Sequence, residues 1–212
     1  MELLLAGTAS PIVAALAKRA EPSKLLIATD TTKLEENQED ERVNVVQWNR
    51  RSPIAARTLT LHACSVLPAL DHAQLVFRVD RSRGPFHEQS ATTFEQLIDA
   101  DVKGYLFLAR ELVIRFSRIG AGTVDFILHD PAHQTVDPVA AASVGAFKAM
   151  VQSLFVLYQN EPFTLRGFSS EDDRVDEFAE FIWDTIREKG EKSTARWNRF
   201  GAKGGLFSFS RR

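Results

Sequence analysis

Short apolar runs alternate with longer amphipathic stretches along this chain, a pattern typical of strands that alternate with helices. The apolar runs predict strands at residues 2–6, 24–29, 43–48, 73–79, 122–128 and 163–168. The amphipathic stretches predict helices at residues 11–19, 52–67, 91–118, 139–158 and 173–189, and residues 200–210 are a candidate seventh strand. This order favours an α/β fold with a doubly wound, Rossmann-like parallel sheet of about seven strands and helices on both faces. No linker or repeat interrupts the pattern, so residues 1–212 are expected to form a single domain.

The two longest predicted helices, residues 91–118 and 139–158, are apolar in nearly every direction around their axes. A helix that covers one face of a sheet needs only one apolar stripe, so a helix that is apolar all round is usually buried on both sides. We therefore expect a homodimer or homotetramer formed through these two helices. Deeper burial beneath the chain's own loops is the alternative.

The composition is that of a soluble globular protein, with 44% hydrophobic and 25% charged residues among 212. A formal net charge of -2 gives no overall field that favours a nucleic acid or a membrane as partner. The single cysteine, Cys64, argues against an internal disulfide framework and a multi-cysteine metal site. No apolar run reaches the roughly 18 residues of a membrane span, and the first residues lack the basic start of a secretory signal. These features predict a cytoplasmic protein.

The stretch from Asp137 to Lys148 carries the most informative chemical signal in the chain. It resembles the active-site helix of the short-chain dehydrogenase/reductase family, in which a tyrosine stands four residues before a lysine on the same helical face. In that family the tyrosine passes a proton, while the lysine lowers the tyrosine's pKa and holds the nicotinamide ribose. Lys148 is present here, but Val144 takes the tyrosine's position and has no proton to give.

The resemblance extends over roughly residues 2–190 and includes the turn after the first predicted strand. The family carries three glycines there, which let the backbone approach a dinucleotide pyrophosphate at a helix N-terminus. Gly7 holds the first glycine position, but Pro11 and Val13 occupy the other two. Proline has no N–H to offer a phosphate, and a valine side chain crowds the contact between helix and strand. Ser10 is a good N-cap for the following helix, and its hydroxyl together with the helix dipole leaves an anion site open.

Two further positions bear on cofactor binding. The resemblance implies that Asp30, at the end of the second predicted strand, would accept hydrogen bonds from an adenosine ribose and favour NAD over NADP. A helix cap or a solvated turn residue is the alternative for Asp30. Asn49 falls where the family often has an aspartate near the adenine. We predict that no cofactor binds in the usual pose, with NAD(P) binding as the open possibility.

The remaining catalytic positions of the family are also altered. The family's structural asparagine corresponds to Asp101, three residues before Gly104, and its serine falls at Leu128 or His129. Leucine cannot polarise a substrate carbonyl, whereas histidine could. The substrate loop of some thirty residues that follows the sixth strand in family enzymes is missing, because Leu165–Ser170 runs almost directly into the next predicted helix. A lid that excludes water is hard to build from so little chain.

Other polar segments allow two interpretations each. His129, Asp130 and His133 lie after a central strand and could serve acid/base chemistry or bind a metal, but Pro131 removes any helical register, so a polar loop is the alternative. Arg81 and Arg83 could meet an acidic ligand or only aid solubility. Residues 192–212 are basic with interleaved aromatic residues, which could contact a nucleic acid but is more simply explained by a solvated face, so we expect no nucleic-acid binding. We also expect no metal site.

Two functions follow from this pattern. The first is a short-chain dehydrogenase/reductase-like protein that has lost NAD(P)-dependent hydride transfer and acts as an oligomeric binding or scaffold protein, either alone or in a hetero-oligomer with an active relative. The second is an active but atypical NAD(P)-dependent oxidoreductase that uses an altered site around His129, Asp130 and Lys148.

Overall fold

Seven parallel strands form one sheet in the order β3-β2-β1-β4-β5-β6-β7. The structure, a computed structural model, describes residues 1–31, 41–79, 85–131, 137–189 and 195–201. The strands are β1 (Glu2–Gly7), β2 (Lys24–Thr29), β3 (Val43–Gln47), β4 (Leu70–Arg78), β5 (Thr123–His129), β6 (Thr164–Ser170) and β7 (Trp197–Phe200). The α-helices are α1 (Pro11–Arg19), α2 (Pro53–Val66), α3 (Ala91–Ile98), α4 (Gly104–Ile119), α5 (Pro138–Leu157) and α6 (Val175–Lys189). The predicted doubly wound α/β fold is confirmed.

Two predicted elements differ in kind from the observed ones. The single helix predicted at 91–118 consists of α3, a π-helical segment at Asp99–Lys103, and α4. Gly104 follows this segment and lies close to the loop between β3 and α2. A Cβ added to Gly104 would stand 2.5 Å from the carbonyl oxygen of Arg50 in that loop. The last described strand is Trp197–Phe200, which only touches the strand predicted at residues 200–210, most of which lies outside the described residues.

The sheet separates two apolar cores. Helices α2, α4 and α5 cover one face, where Phe77, Phe126 and Phe147 are buried. Helices α1 and α6 cover the other face, where Ile12 and Phe178 are buried. Because every strand pairing is parallel, all carboxyl ends meet at one edge, and the strand order reverses between β1 and β4. Open α/β sheets bind their ligands at this edge.

A buried ionic cluster crosses the sheet on the face covered by α1 and α6. Asp125 of β5 has a fully buried side chain and lies 2.6 Å from His72 Nε2 and 2.6 Å from Arg166 Nε. A second guanidinium nitrogen of Arg166 reaches the other carboxylate oxygen at 3.2 Å. Burial alone opposes ionisation, but electrostatic interactions and hydrogen bonds with His72 and Arg166 outweigh it and hold the pKa of Asp125 below its usual range. The cluster neutralises a charge that the sheet could not otherwise bury.

The outward faces of α4 and α5 expose several large apolar side chains, as expected from the sequence. Leu106 and Ile114 of α4 are 45% and 38% exposed, and Val156 and Leu157 of α5 are 62% and 72% exposed. By length and composition α5 could also cross a membrane, but 39% of its most apolar window is buried inside the protein, and core helices of soluble proteins pass the same test. These faces have no cover within the described chain.

Candidate functional site

A cavity of about 740 Å³ opens at the carboxyl edge of the sheet, beneath α5. We call it the Lys148 cavity. Its walls come from α5, from the ends of β5 and β6 with the turn after β6, and from β7. Its volume lies within the range of small-molecule sites, which is about 300–1,000 Å³. Of the sequence-predicted residues, Lys148 and Asp130 line this cavity.

The Lys148 cavity lacks the two hydroxyl groups that the resembled enzymes use. Val144 of α5 is only 9% exposed and packs in the core beneath that helix. Leu128, at the end of β5, is 1% exposed. Lys148 is exposed and makes no hydrogen bond or ion pair within the described residues. The lysine therefore has no neighbouring tyrosine whose pKa it could lower.

His129 lies on the opposite face of the sheet from Leu128. His129 is 1% exposed, and its ring centroid lies 5.9 Å from that of Phe178. It does not line the Lys148 cavity. Nε2 donates to the backbone oxygen of Asp172 at 3.0 Å, which fixes the tautomer with the proton on Nε2. Burial lowers the pKa of His129 despite this hydrogen bond, so the imidazole is neutral at pH 7. In this position the ring holds the turn after β6.

That short turn stands where the resembled enzymes have a long substrate loop. Asp172 accepts two hydrogen bonds from the Arg174 guanidinium, at 2.7 Å from Nη2 and 2.9 Å from Nε, and these bonds lower the pKa of Asp172 to about 2. Ser170 Oγ accepts from the backbone N–H of Asp172 at 3.0 Å. The turn is held by internal bonds and forms a fixed wall of the Lys148 cavity.

The turn between β1 and α1 does not offer the usual cradle for a pyrophosphate. Gly7 is required by its contact with the Val76 backbone in β4, and Val13 is fully buried in the core beneath α1. Ser10 occupies the N-cap position and Pro11 the first helical position, but Ser10 Oγ makes no capping hydrogen bond. Asp30 Oδ1 accepts from the backbone N–H of Ala9 at 2.8 Å. The Asp30 carboxylate therefore already accepts the N–H of Ala9, which would otherwise be free to donate to a bound anion.

A second cavity of about 590 Å³ lies at the same edge beyond β2 and β3, and we call it the Arg50 cavity. Asp30, Asn49 and Arg50 line it. Arg50 Nη1 lies 3.1 Å from Asp101 Oδ1, and the guanidinium carbon stands 5.8 Å from the ring centroid of Tyr105. Burial raises the pKa of Tyr105 to about 12, and its hydroxyl donates to the Val76 carbonyl at 2.7 Å. Asp101 thus pairs with Arg50 at this cavity and does not line the Lys148 cavity.

Some predicted positions lie outside the described residues, namely Arg81, Arg83, His133 and most of the basic C-terminal residues. Among the residues that the structure describes, no group of three or more His, Cys, Asp or Glu side chains is placed to hold a metal ion. The sequence analysis missed Ser169, Trp197 and Arg199, which all line the Lys148 cavity. Strand register, which the sequence pattern did not give, is what brings these three residues to the site.

The same fold occurs in solved short-chain dehydrogenases/reductases. A metagenomic short-chain oxidoreductase in complex with NADP is 15% identical, covers 94% of this chain and 96% of its own, and superposes with a TM-score of 0.76. A Brucella ovis oxidoreductase of that family, in complex with partially ordered NAD, is 15% identical with a TM-score of 0.74, covering 94% and 99%. A Bacillus anthracis short-chain dehydrogenase is 13% identical with a TM-score of 0.78, covering 94% of both chains.

These likenesses define the class by fold: the chain has the α/β fold of short-chain dehydrogenases/reductases. No protein-family model matches the chain, and no curated protein matches it.

Proposed function

We propose that this chain is a divergent short-chain dehydrogenase/reductase-like protein that has lost NAD(P)-dependent hydride transfer and acts as an oligomeric binding or scaffold protein. One observation carries the proposal: the position four residues before Lys148 is filled by Val144, which is buried in the core. Leu128, at the family's serine position, lines the cavity at the end of β5, so neither of these two positions carries a hydroxyl group. Without a positioned acid, reduction of a carbonyl loses its proton source.

The turn after β1 supports the same proposal. Pro11 offers no N–H at the first helical position, and Asp30 already accepts the N–H of Ala9. A pyrophosphate in the usual pose would lose backbone donors and meet the Asp30 carboxylate nearby. Two of the structural neighbours are complexes with NADP and NAD, so binding of these cofactors is the property to test first.

A thermal-shift titration with NAD, NADH, NADP and NADPH, confirmed by calorimetry, tests this point. A ligand at 100 times its dissociation constant stabilises the folded state by about 2.7 kcal/mol, which is readily seen. We expect no shift with any of the four and no oxidation of NADH or NADPH with a panel of carbonyl compounds. Robust reduction of a carbonyl with either nicotinamide would overturn the proposal.

The second candidate is an active but atypical oxidoreductase with an altered site around His129, Asp130 and Lys148. The observation in its favour is that Asp130 and Lys148 line one cavity. It predicts that His129→Ala abolishes turnover while the fold is retained, and that Asp130→Asn shifts the pH profile of any activity. Unchanged rates in both variants would remove this candidate.

The oligomer in this proposal is a homodimer or homotetramer formed through α4 and α5. The exposed apolar side chains on both helices support it, because monomers rarely leave large apolar patches in water. Ala141 and Ala142 near the start of α5 are small and exposed, outside the lining of the Lys148 cavity, and would allow a second helix to approach closely. A hetero-oligomer with an active relative would use the same faces.

A further inference from the structure

Three side chains stand in one row at the carboxyl ends of neighbouring strands. Leu128 of β5 is in register with Ser169 of β6, and Ser169 is in register with Arg199 of β7. Paired residues of adjacent strands project from the same face of a sheet, and adjacent strands are only about 4.8 Å apart. All three residues line the Lys148 cavity on the face that α5 covers. The row therefore places a hydroxyl and a guanidinium side by side below Lys148.

The polar side chains of this row, and Lys148 above it, have no side-chain partner among the described residues. Lys148, Ser169 and Arg199 make no side-chain hydrogen bond or ion pair within the described residues. They belong to α5, β6 and β7, so three different elements direct donors into one cavity. An ammonium, a hydroxyl and a guanidinium together match a carboxylate, which a guanidinium can bind through two parallel hydrogen bonds.

The wall beside the row is apolar and fixed in place. Trp197 stands over Gly167, where an added Cβ would lie 2.7 Å from the indole ring, and its ring centroid is 6.2 Å from that of Phe155. The Phe200 ring packs on the other face of the sheet, 5.7 Å from the ring of Phe178 in α6, so Trp197 is the aromatic wall on the side of the row. A flat or branched apolar group could pack against Trp197 while its charged end reaches Arg199.

Acidic residues lie beyond the strand ends at the same cavity. Asp172 is neutralised by Arg174, but Asp130 and Glu171 add two carboxylates to the lining. These two charges balance those of Lys148 and Arg199, so the cavity has no excess of positive charge for a polyanion. A ligand with a single negative charge fits this distribution better than a nucleotide or a polyphosphate.

We infer that the Lys148 cavity binds a small monocarboxylate with an aromatic or branched apolar body. The carboxylate contacts Arg199, Ser169 and Lys148, and the apolar body packs on Trp197. This inference rests on the proposed function, because it assigns the cavity to binding a ligand rather than to reducing one.

The test is a titration of the full chain with benzoate, with its neutral analogue benzamide, and with inorganic phosphate. Calorimetry gives the affinities, and acrylamide quenching reports coverage of Trp197, because Trp48 and Trp183 are only 2% and 4% exposed. We expect benzoate to bind and to protect Trp197 from quenching, and benzamide to bind at least about tenfold more weakly because hydrogen bonds to charged groups are lost.

The variants separate this site from general charge effects. Arg199→Met and Lys148→Met should each weaken benzoate binding about tenfold, and Ser169→Ala about threefold. Arg196→Met is the matched control: it removes the same charge from β7's immediate flank but does not line the cavity, so it should leave affinity unchanged. Arg199→Lys should retain part of the affinity, and melting curves check that each variant is folded.

Four results would overturn the inference: no benzoate binding, equal binding of benzamide, tighter binding of phosphate than of benzoate, or an affinity that Arg199→Met and Arg196→Met change equally. Reduction of a carbonyl by NADH or NADPH would instead contradict the proposed function and leave the binding result standing. The two proposals therefore fail in different measurements.

Discussion

Val144 is the residue on which the proposed loss of hydride transfer depends. Its side chain packs in the core on the face covered by α5, one turn before the exposed Lys148. We expect Val144→Tyr to lower the free energy of unfolding by about 1–3 kcal/mol, because the larger ring must enter a packed region. We also expect no NADH or NADPH oxidation by this variant, since the β1–α1 turn still lacks its phosphate donors. Chemical denaturation and a nicotinamide absorbance assay measure the two effects.

Val144→Phe is the control for this substitution, because it adds nearly the same volume without the hydroxyl. Equal destabilisation of the two variants would assign the cost to packing. Hydride transfer by Val144→Tyr but not by Val144→Phe would show that the tyrosine alone had been missing, which would contradict the proposed loss of cofactor binding.

Asp125 is the residue on which the buried ionic cluster depends. Asp125→Asn would leave the 4% exposed Arg166 side chain without its carboxylate partner. Breaking a buried pair by removing one member costs about 3–5 kcal/mol, so we expect a loss of that size in urea denaturation. The double variant Asp125→Leu with Arg166→Met should lose less than Asp125→Asn, because it leaves no unpaired charge among these two positions. If Asp125→Asn lowered the free energy of unfolding by less than a typical surface substitution does, the cluster would contribute little to stability.

The same cluster has a defined pH dependence. The pKa of Asp125 is lowered in the folded protein, so its contribution to stability is fully present above the unfolded value of about 3.9 and is lost as the pH falls through the lower folded value. We therefore expect the wild-type free energy of unfolding to fall more steeply below pH 4 than that of Asp125→Asn. Parallel curves for the two proteins in this pH range would contradict the assignment.

At the scale of elements, two helical glycines have opposite environments and so give opposite predictions. A Cβ on Gly104 would lie 2.5 Å from the carbonyl oxygen of Arg50, whereas a Cβ on Gly145 would meet nothing within 4 Å. Gly104→Ala should destabilise the protein by about 1–3 kcal/mol by separating α4 from the loop before α2. Gly145→Ala should stabilise it by about 0.5–1 kcal/mol through the higher helix propensity of alanine. Thermal melts of both variants measure the signs, and a common sign would show that local space does not decide the outcome.

The elements also show which features the sequence could predict. Hydrophobic periodicity was sufficient for the strands and helices, since burial of one face or both is what the pattern records. It could not predict the π-helical segment at Asp99–Lys103, because periodicity records which faces are buried and not the hydrogen-bond register within a helix. The start of β7 at Trp197 was missed for a related reason: its pairing with Gly167 is a tertiary contact.

In the candidate site, too, the sequence predicted residues that are neighbours along one helix and missed those that meet only in the folded chain. Lys148 and Val144 could be found from their spacing along one helix. Ser169 and Arg199 could not, since they meet only through the register of three strands from distant parts of the chain. The partners of Asp125 were hidden for the same reason, because His72 and Arg166 lie on different strands.

At the scale of the whole molecule, the exposed faces of α4 and α5 determine the expected assembly. Leu106 and Ile114 lie two turns apart on α4 and are exposed, which leaves an apolar surface that water does not favour. We expect the wild-type protein to elute in size-exclusion chromatography with light scattering at a mass of two or four chains. The variant Leu106→Glu with Ile114→Glu should shift it towards one chain, because like charges would meet across a symmetric contact.

Ile54→Glu is the control for this assembly, because Ile54 is 76% exposed on α2, outside the proposed interface. It adds the same acidic group to an even more exposed apolar position and should leave the mass unchanged. If Ile54→Glu separated the chains and the α4 variant did not, the contact would lie on α2 instead. If the wild-type protein elutes as one chain at every concentration, the proposed homo-oligomer is wrong. The apolar faces of α4 and α5 would then need a cover other than a second copy of this chain.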